Sequence, residues 1–367
     1  MNATMAAEPV RPAYDGACVS RIVPAVLGEA DRSWLPQSAR DARAVVLFLI
    51  DGLGSRIIDR NRPLLPVLSS MEGGSITTVV PSTTPSVLTS LTTSLSPAEH
   101  GIIGFRMLVD GGILNVLRWE MENGERAPNP EELQPHPAFG GRAMPVITKS
   151  EFRGGGFTRA HLGRARFDGW AVPSMLVERV RRLIHNGEEM VYAYYAGIDL
   201  IAHLRGMDDG FFSAELAFVD RLVGDFLDVL PSDTALLVTA DHGQVPLTRD
   251  SWTSLDAFND DVEAYSGDGR LRFVHTDAPD AVAAAAEELL GARAWVFTRE
   301  RFLDEGWLGP SPKPDVVARV GDVVLAARDP IAFIDPDLPQ EVRLRTGHGS
   351  MTPDEMLVPL LAARGRA

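Results

Sequence analysis

Three aspartates and three histidines stand out in this chain, because each sits at the end of a strand-like run, on one helical turn, or between glycines. Asp51 follows the apolar run AVVLFLI and precedes Gly52, while Asp241-His242-Gly243 follows TALLVTA. Asp199 and His203 lie four apart in IDLIAHLRG, and His348 stands between Gly347 and Gly349. A carboxylate at the carboxyl end of a buried strand is where α/β proteins gather ligands. One helical turn puts Asp199 and His203 on the same face, and flanking glycines let the backbone approach a ligand closely. Singly, each has a plain reading as a turn aspartate, a surface pair or a glycine turn. Jointly they amount to two three-ligand sets of the oxygen/nitrogen type that zinc accepts. The expected cofactor is therefore two divalent metal ions, zinc by donor type. The remaining histidines, His100, His136, His161, His185 and His275, read as structural or exposed.

The nucleophile candidate is a threonine in PSTTPS. A hydroxyl at neutral pH needs a base or a metal to become alkoxide-like, and a helix amino terminus adds amide donors for an anion. Thr84 is at or near the start of a helix whose apolar positions Val87, Leu88, Leu91 and Leu95 share one face. Thr83 and Thr84 also suit helix capping, which the same position requires. This chemistry is that of a metal-assisted hydrolase of phosphoesters.

The elements that must position these groups alternate. Ala44 to Ile50 reads as a parallel strand buried on both faces, followed by a helix from Ser55 to Arg60 and a strand over Ser75 to Val80. Helices are predicted over 175–183, 214–230 and 281–290. Strands are predicted over 190–195, 234–239, 271–275 and 294–297. The fold class is α/β, a mostly parallel central sheet with helices on both faces. From Gly101 to about Trp170 periodicity fails and Gly, Pro and aromatic residues gather, which predicts a lid or small inserted subdomain. Residues 1–40 read as a loosely packed lead-in to a catalytic domain over 41–367.

At 367 residues and 45% hydrophobic, the chain can bury a full core. Its formal charge of −15 excludes coating of nucleic acid by charge neutralisation. It leaves room for a small anionic substrate, since bound cations reverse the local field. Cys18 is the single cysteine, so neither an internal disulfide nor a thiolate metal site is available. The amino terminus lacks a signal-peptide pattern and no apolar run is long enough to span a bilayer. The expectation is a soluble cytoplasmic protein with a small phosphorylated partner and no membrane.

Together these motifs resemble the alkaline phosphatase superfamily, most closely its nucleotide pyrophosphatase/phosphodiesterase branch. The carriers are LIDG with Asp51, PSTTPSVLTSLTTSLSPAEHG around Thr84, DLIAH with Asp199 and His203, TADHG with Asp241 and His242, TGHGS with His348, and the closing TPDEMLVPLL. The resemblance spans about Ala44 to Leu361. It implies one zinc held by Asp199, His203 and His348, and another by Asp51, Asp241 and His242 with Thr84 reaching it. It also implies a phospho-threonine intermediate and a nucleotide-like or other small phosphodiester substrate. Counting back from Thr93-Ser94 selects Thr84 as nucleophile, whereas aligning Pro85 with the family's proline selects Thr83; the spacing to Pro97 and His100-Gly101 favours Thr84. Two family asparagines are missing, with Ser86 and Val87 near one position and Phe105 at the other. Preference for diester over monoester is therefore open, with a phosphomonoesterase or phosphonate hydrolase as the enzyme alternative and an inactive phospho-ligand-binding member as the non-enzyme one. Phe105, Arg106 and Trp119 are the expected substrate contacts. An arginine between Arg142 and Arg166 is a further candidate for phosphate, and Phe157 for stacking on a base.

Overall fold

The computed structural model describes residues 8–367. Ala44–Ile50 is buried at every position, as are Met190–Tyr195 and Thr234–Thr239. Side chains alternate across a strand, so burial at every position means that both sheet faces are covered. These strands form the middle of a seven-stranded sheet, where Ala44–Ile50 pairs parallel with Met190–Tyr195 on one side and Thr234–Thr239 on the other. Pro145–Lys149 and Arg166–Trp170 extend it in parallel beyond Met190–Tyr195. At the other edge Leu357–Arg364 is antiparallel to Thr234–Thr239, and Glu72–Thr77 pairs antiparallel with it in turn. That reversal matters. Parallel strands deliver their carboxyl ends to one edge, and the reversed strand delivers its amino-terminal approach, residues 348–356, to the same edge.

The strand and helix expectations over 44–60, 84–93 and 173–239 hold to within a few residues. Three others are corrected. The strands Leu271–His275 and Ala294–Thr298 do not join the parallel sheet; they belong to a second seven-stranded sheet, antiparallel throughout, with Val323–Ala327, Ala264–Gly267, Arg106–Val109, Gly112–Asn115 and Glu120–Met121. The stretch 101–170 is accordingly not one inserted unit. Its first strands build the second sheet and its last two extend the main one. Strands of two to four residues are too short to show a period, although Asp110-Gly111, both at positive φ, is the turn pair expected between two hairpin strands.

The lead-in is also packed more closely than expected from residue 18 onward. Cys18, Val19, Ile22, Val23, Leu35 and Ala39 are buried in the main core, and Cys18 bridges to Thr77. Helices of three to five residues carry no visible amphipathic pattern. Residues 1–7 of that expectation lie outside the described ones. No helix among the described residues is long and apolar enough to cross a membrane.

One apolar cluster runs through both sheets, and a smaller one lies under the helix Pro279–Leu290. The sheets are also joined by a buried ion pair. Arg270 Nε and Nη2 meet the Glu355 carboxylate at 2.8 and 3.0 Å, and Nη1 donates to the Asp329 and Ile331 carbonyls. Glu355 also accepts from Ser350 N–H and the Thr352 hydroxyl, which holds the loop carrying His348 against the second sheet. Removing one partner leaves a buried charge uncompensated, so Glu355→Ala is expected to cost about 3–5 kcal/mol in denaturant unfolding.

Candidate active site

Each candidate ligand reaches the site by a local feature of the chain. Asp51 turns inward because Gly52 follows at φ +74°, where a Cβ would lie 2.7 Å from Gln244 Nε2. Gly243 lets the loop after Thr234–Thr239 pass the Asp354 carbonyl, which a Cβ would meet at 2.0 Å. Asp199 and His203 lie on the helix Gly197–Arg205, which follows Met190–Tyr195. Thr84 is the first residue of the fully buried helix Thr84–Thr93.

All six residues converge in two groups. Asp199, His203 and His348 form one, Asp51, Asp241 and His242 the other, and within each the ligand atoms lie within 4.8 Å of one another. His203 Nε2 is 3.2 Å and His348 Nε2 3.9 Å from Asp199 Oδ1. His242 Nε2 is 3.6 Å from Asp51 Oδ1, 3.4 Å from Asp241 Oδ2 and 3.2 Å from Thr84 Oγ1. Donors placed tetrahedrally on bonds of about 2.1 Å stand about 3.4 Å apart. The His242 and His348 rings stack at 3.6 Å, so the two groups are adjacent.

The surroundings of these ligands also fit cations. Each histidine directs its Nδ1 to a main-chain carbonyl: His203 to Thr346 at 3.0 Å, His242 to Gly243 at 3.1 Å and His348 to Ser82 at 3.1 Å. An Nδ1–H donated to a carbonyl leaves Nε2 as a bare lone pair facing the group. Asp51 Oδ1 and Asp241 Oδ2 are buried without any hydrogen-bond partner. Burial, with Asp241 and Asp199 beside it, pushes the Asp51 carboxyl well above the usual carboxylate range. Burial depresses His203, but the Asp199 carboxylate outweighs it and holds that imidazole above its ordinary value. Burial drives His348 well below. Two buried carboxylates with open lone pairs, and no lysine or arginine paired with them among the described residues, call for an external positive charge.

Thr83 and Thr84 are separated by their contacts. Thr83 Oγ1 donates to Asp268 at 3.0 Å, a buried carboxyl that desolvation raises to about 6. Thr84 Oγ1 faces His242. Neither hydroxyl caps the helix. Two clefts meet at Thr84, Leu117 and Asp199. One, of about 410 Å³, is lined by Leu88, Lys149, Phe152, Phe157, Tyr194 and Leu200. The other, of about 420 Å³, is lined by Phe105, Asn115, Arg118, Asp268, His203 and His348.

Of the expected substrate contacts, Phe105 lies in the second cleft and Phe157 in the first, stacked on His161 at 4.0 Å. Arg106 and Trp119 are corrected. Arg106 is fully buried and bound to Glu122 and Asp335, so its donors are already committed. Trp119 packs on Gly156 and donates its Nε1–H to the Pro128 carbonyl. Among the other arginines proposed for phosphate, Arg142 pairs with Glu29 and Arg166 with Glu188, at neither cleft. Sequence reasoning missed Tyr194, whose hydroxyl donates to Asp51 Oδ2, and Gln244, whose amide donates to Asp199 Oδ1 at 2.6 Å. The three tyrosines of the strand Met190–Tyr195, at 192, 194 and 195 in an otherwise apolar run, were the available signal.

The chain superposes on murine ectonucleotide pyrophosphatase/phosphodiesterase 5 with a TM-score of 0.66 and 15% identity, covering 88% of each chain. The human counterpart gives a TM-score of 0.64 and 15% identity over 88% of each. An inactive threonine-to-alanine form of the murine protein in complex with AMP gives 0.64 and 14% over 87% of each. At these identities the likeness is one of fold. No curated protein matches the chain in sequence. The family profile of type I phosphodiesterase / nucleotide pyrophosphatase matches residues 45–351. With that match over most of its length, the chain belongs to the type I phosphodiesterase/nucleotide pyrophosphatase family of hydrolases, within the alkaline phosphatase superfamily.

Proposed function

We propose that this protein is a two-zinc phosphodiesterase or pyrophosphatase acting on nucleotide-like or other small phosphodiesters, with Thr84 as nucleophile. The observation that carries the reading is the Thr84 hydroxyl at a helix start, 3.2 Å from His242 Nε2 and beside buried carboxylate oxygens that nothing else satisfies. Asp199, His203 and His348 would hold one ion, and Asp51, Asp241, His242 and Thr84 the other. Such ions lower the pKa of a hydroxyl or water and offset charge on the attacking and leaving oxygens.

The chain's own groups do the rest. At the start of the helix Thr84–Thr93, Pro85 has no N–H and Val87 donates to the Thr83 carbonyl, so the Thr84 and Ser86 amides are the ones left to meet phosphoryl oxygens. Thr84 Oγ attacks phosphorus, the bond to the leaving oxygen breaks, and water then hydrolyses the phospho-threonine. Tyr194 and Gln244 hold Asp51 and Asp199 in place. Phe152, Phe157, Leu88 and Leu200 offer a flat base or aryl group an apolar wall. The AMP complex of the murine relative supports a nucleotide-like ligand.

The test is kcat/KM of zinc-reconstituted protein on an aryl phosphodiester, the matching monoester and an aryl phosphonate. Diester turnover above the others is expected, and chelation should abolish it. Preference for the monoester or phosphonate replaces this reading with its enzyme alternative, and no turnover of any ends it. The proposed setting is the cytoplasm, since one unpaired cysteine suits a reducing compartment; cell fractionation checks this.

A further inference from the structure

We infer that Asn115 holds a non-bridging oxygen of the phosphoryl group under attack, an assignment that rests on the phosphoester reading above. Asn115 ends the strand Gly112–Asn115 and lines the second cleft together with Thr84, Phe105 and His348. It is 8% exposed. Its side-chain oxygen accepts the Arg118 N–H at 3.1 Å, and its main-chain carbonyl accepts the Trp119 N–H at 2.7 Å. The first contact fixes which end of the carboxamide is which, because a flipped amide would set donor against donor. The NH₂ end is thus turned away from the loop. It carries two N–H donors and meets no protein acceptor among the described residues, so its remaining partner is whatever occupies the cleft.

A nearly buried donor pair beside a nucleophile, with its orientation locked from behind, is a preorganised receptor for a developing oxyanion. Of the arginines near it, two are already engaged and the third, Arg118, is exposed with no hydrogen bond among the described residues to fix its guanidinium. Arg106 is held by Glu122 and Asp335, and Arg270 by Glu355 and two carbonyls. Among the described side chains lining this cleft, Asn115 thus combines a fixed orientation with a donor that no other residue has taken. It stands ten residues beyond Phe105, on the neighbouring strand-end, which is why sequence order alone does not point to it.

Two variants separate binding from scaffolding. Asn115→Asp retains the oxygen that accepts Arg118 N–H, and replaces the donor end with a carboxylate oxygen that repels phosphate. Asn115→Ala removes both. In zinc-reconstituted protein, Asn115→Asp is expected to lower diester kcat/KM by about 10²–10³-fold, with zinc content and Tm unchanged. Binding of inorganic orthovanadate, followed by calorimetry, should weaken in parallel. A scaffolding residue behaves differently: Asn115→Asp would match the unsubstituted protein and only Asn115→Ala would lose stability, which overturns the assignment. Loss of zinc together with activity overturns it as well. If the unsubstituted protein turns over no phosphoester, the proposed function fails separately, and the orthovanadate comparison still decides Asn115.

Discussion

Thr84→Ala is expected to lower kcat on a phosphodiester by roughly 10⁴–10⁶-fold, the range seen when a covalent nucleophile is deleted from a preorganised site. Thr83→Ala, one residue away, should act on stability, by about 1.5–3 kcal/mol for a hydrogen bond to the Asp268 carboxyl, and leave kcat close to that of the unsubstituted protein. The contrast follows from what each hydroxyl touches. Thr83 is bound to Asp268 and turned from the ligand groups, whereas Thr84 shares His242 with the Asp51–Asp241 pair. Rapid acid quench during diester turnover, followed by peptide mass analysis, should find phosphate on Thr84. Finding it on Thr83, or an active Thr84→Ala, would transfer the nucleophile role.

Asp51→Asn is expected to act in opposite directions on the metal-loaded and metal-free protein. With zinc supplied, the variant should bind about one ion fewer per chain and lose at least about 10³-fold in turnover, since a neutral amide replaces a charged ligand of an ion that stabilises transition-state charge. Without metal, the variant should be the more stable above the ordinary carboxylate range, by about 1–3 kcal/mol, because an amide carries no charge to desolvate beside Asp241 and Asp199. The sign follows from linkage. Burial raises the Asp51 carboxyl above its ordinary 3.8, so the folded state holds a proton that the unfolded chain has released. Its favourable contribution is complete below pH 3.8 and is lost as pH rises through the raised folded value. In metal-free unfolding followed from about pH 4 upward, the stability of Asp51→Asn relative to the unsubstituted protein should therefore rise with pH, whatever slope the buried histidines give to both. Equal slopes would mean that the carboxylate is not held against its charge.

Much of the main sheet was legible along the chain. Ala44–Ile50, Met190–Tyr195 and Thr234–Thr239 are continuous apolar runs, and a run that must be dry on both faces admits little else. The metal-type residues were legible for the same reason. Charge immediately after such a run, or histidine between glycines, has no place in a core and marks the sheet's functional edge. The helix start at Thr84 follows from Pro85 and a single apolar face.

The second sheet was not legible, because its short antiparallel strands are gathered from residues 106–121 and 264–327, and pairing over that separation leaves no local period. Nor was the fate of Arg106. An arginine after His100-Gly101 reads as free to bind phosphate, and only tertiary contact brings Asp335 from 229 positions away to occupy it. The choice between Thr83 and Thr84, the locked amide of Asn115, and the hold of Tyr194 on Asp51 depend likewise on which partner each polar atom meets. Residue type and spacing thus determined by themselves the chemistry available and the edge where it gathers, since both depend on local burial and strand polarity. Which hydroxyl, amide or guanidinium is left free to act was decided only by the folded packing, because a hydrogen-bonding group is available only when no distant residue has already taken it.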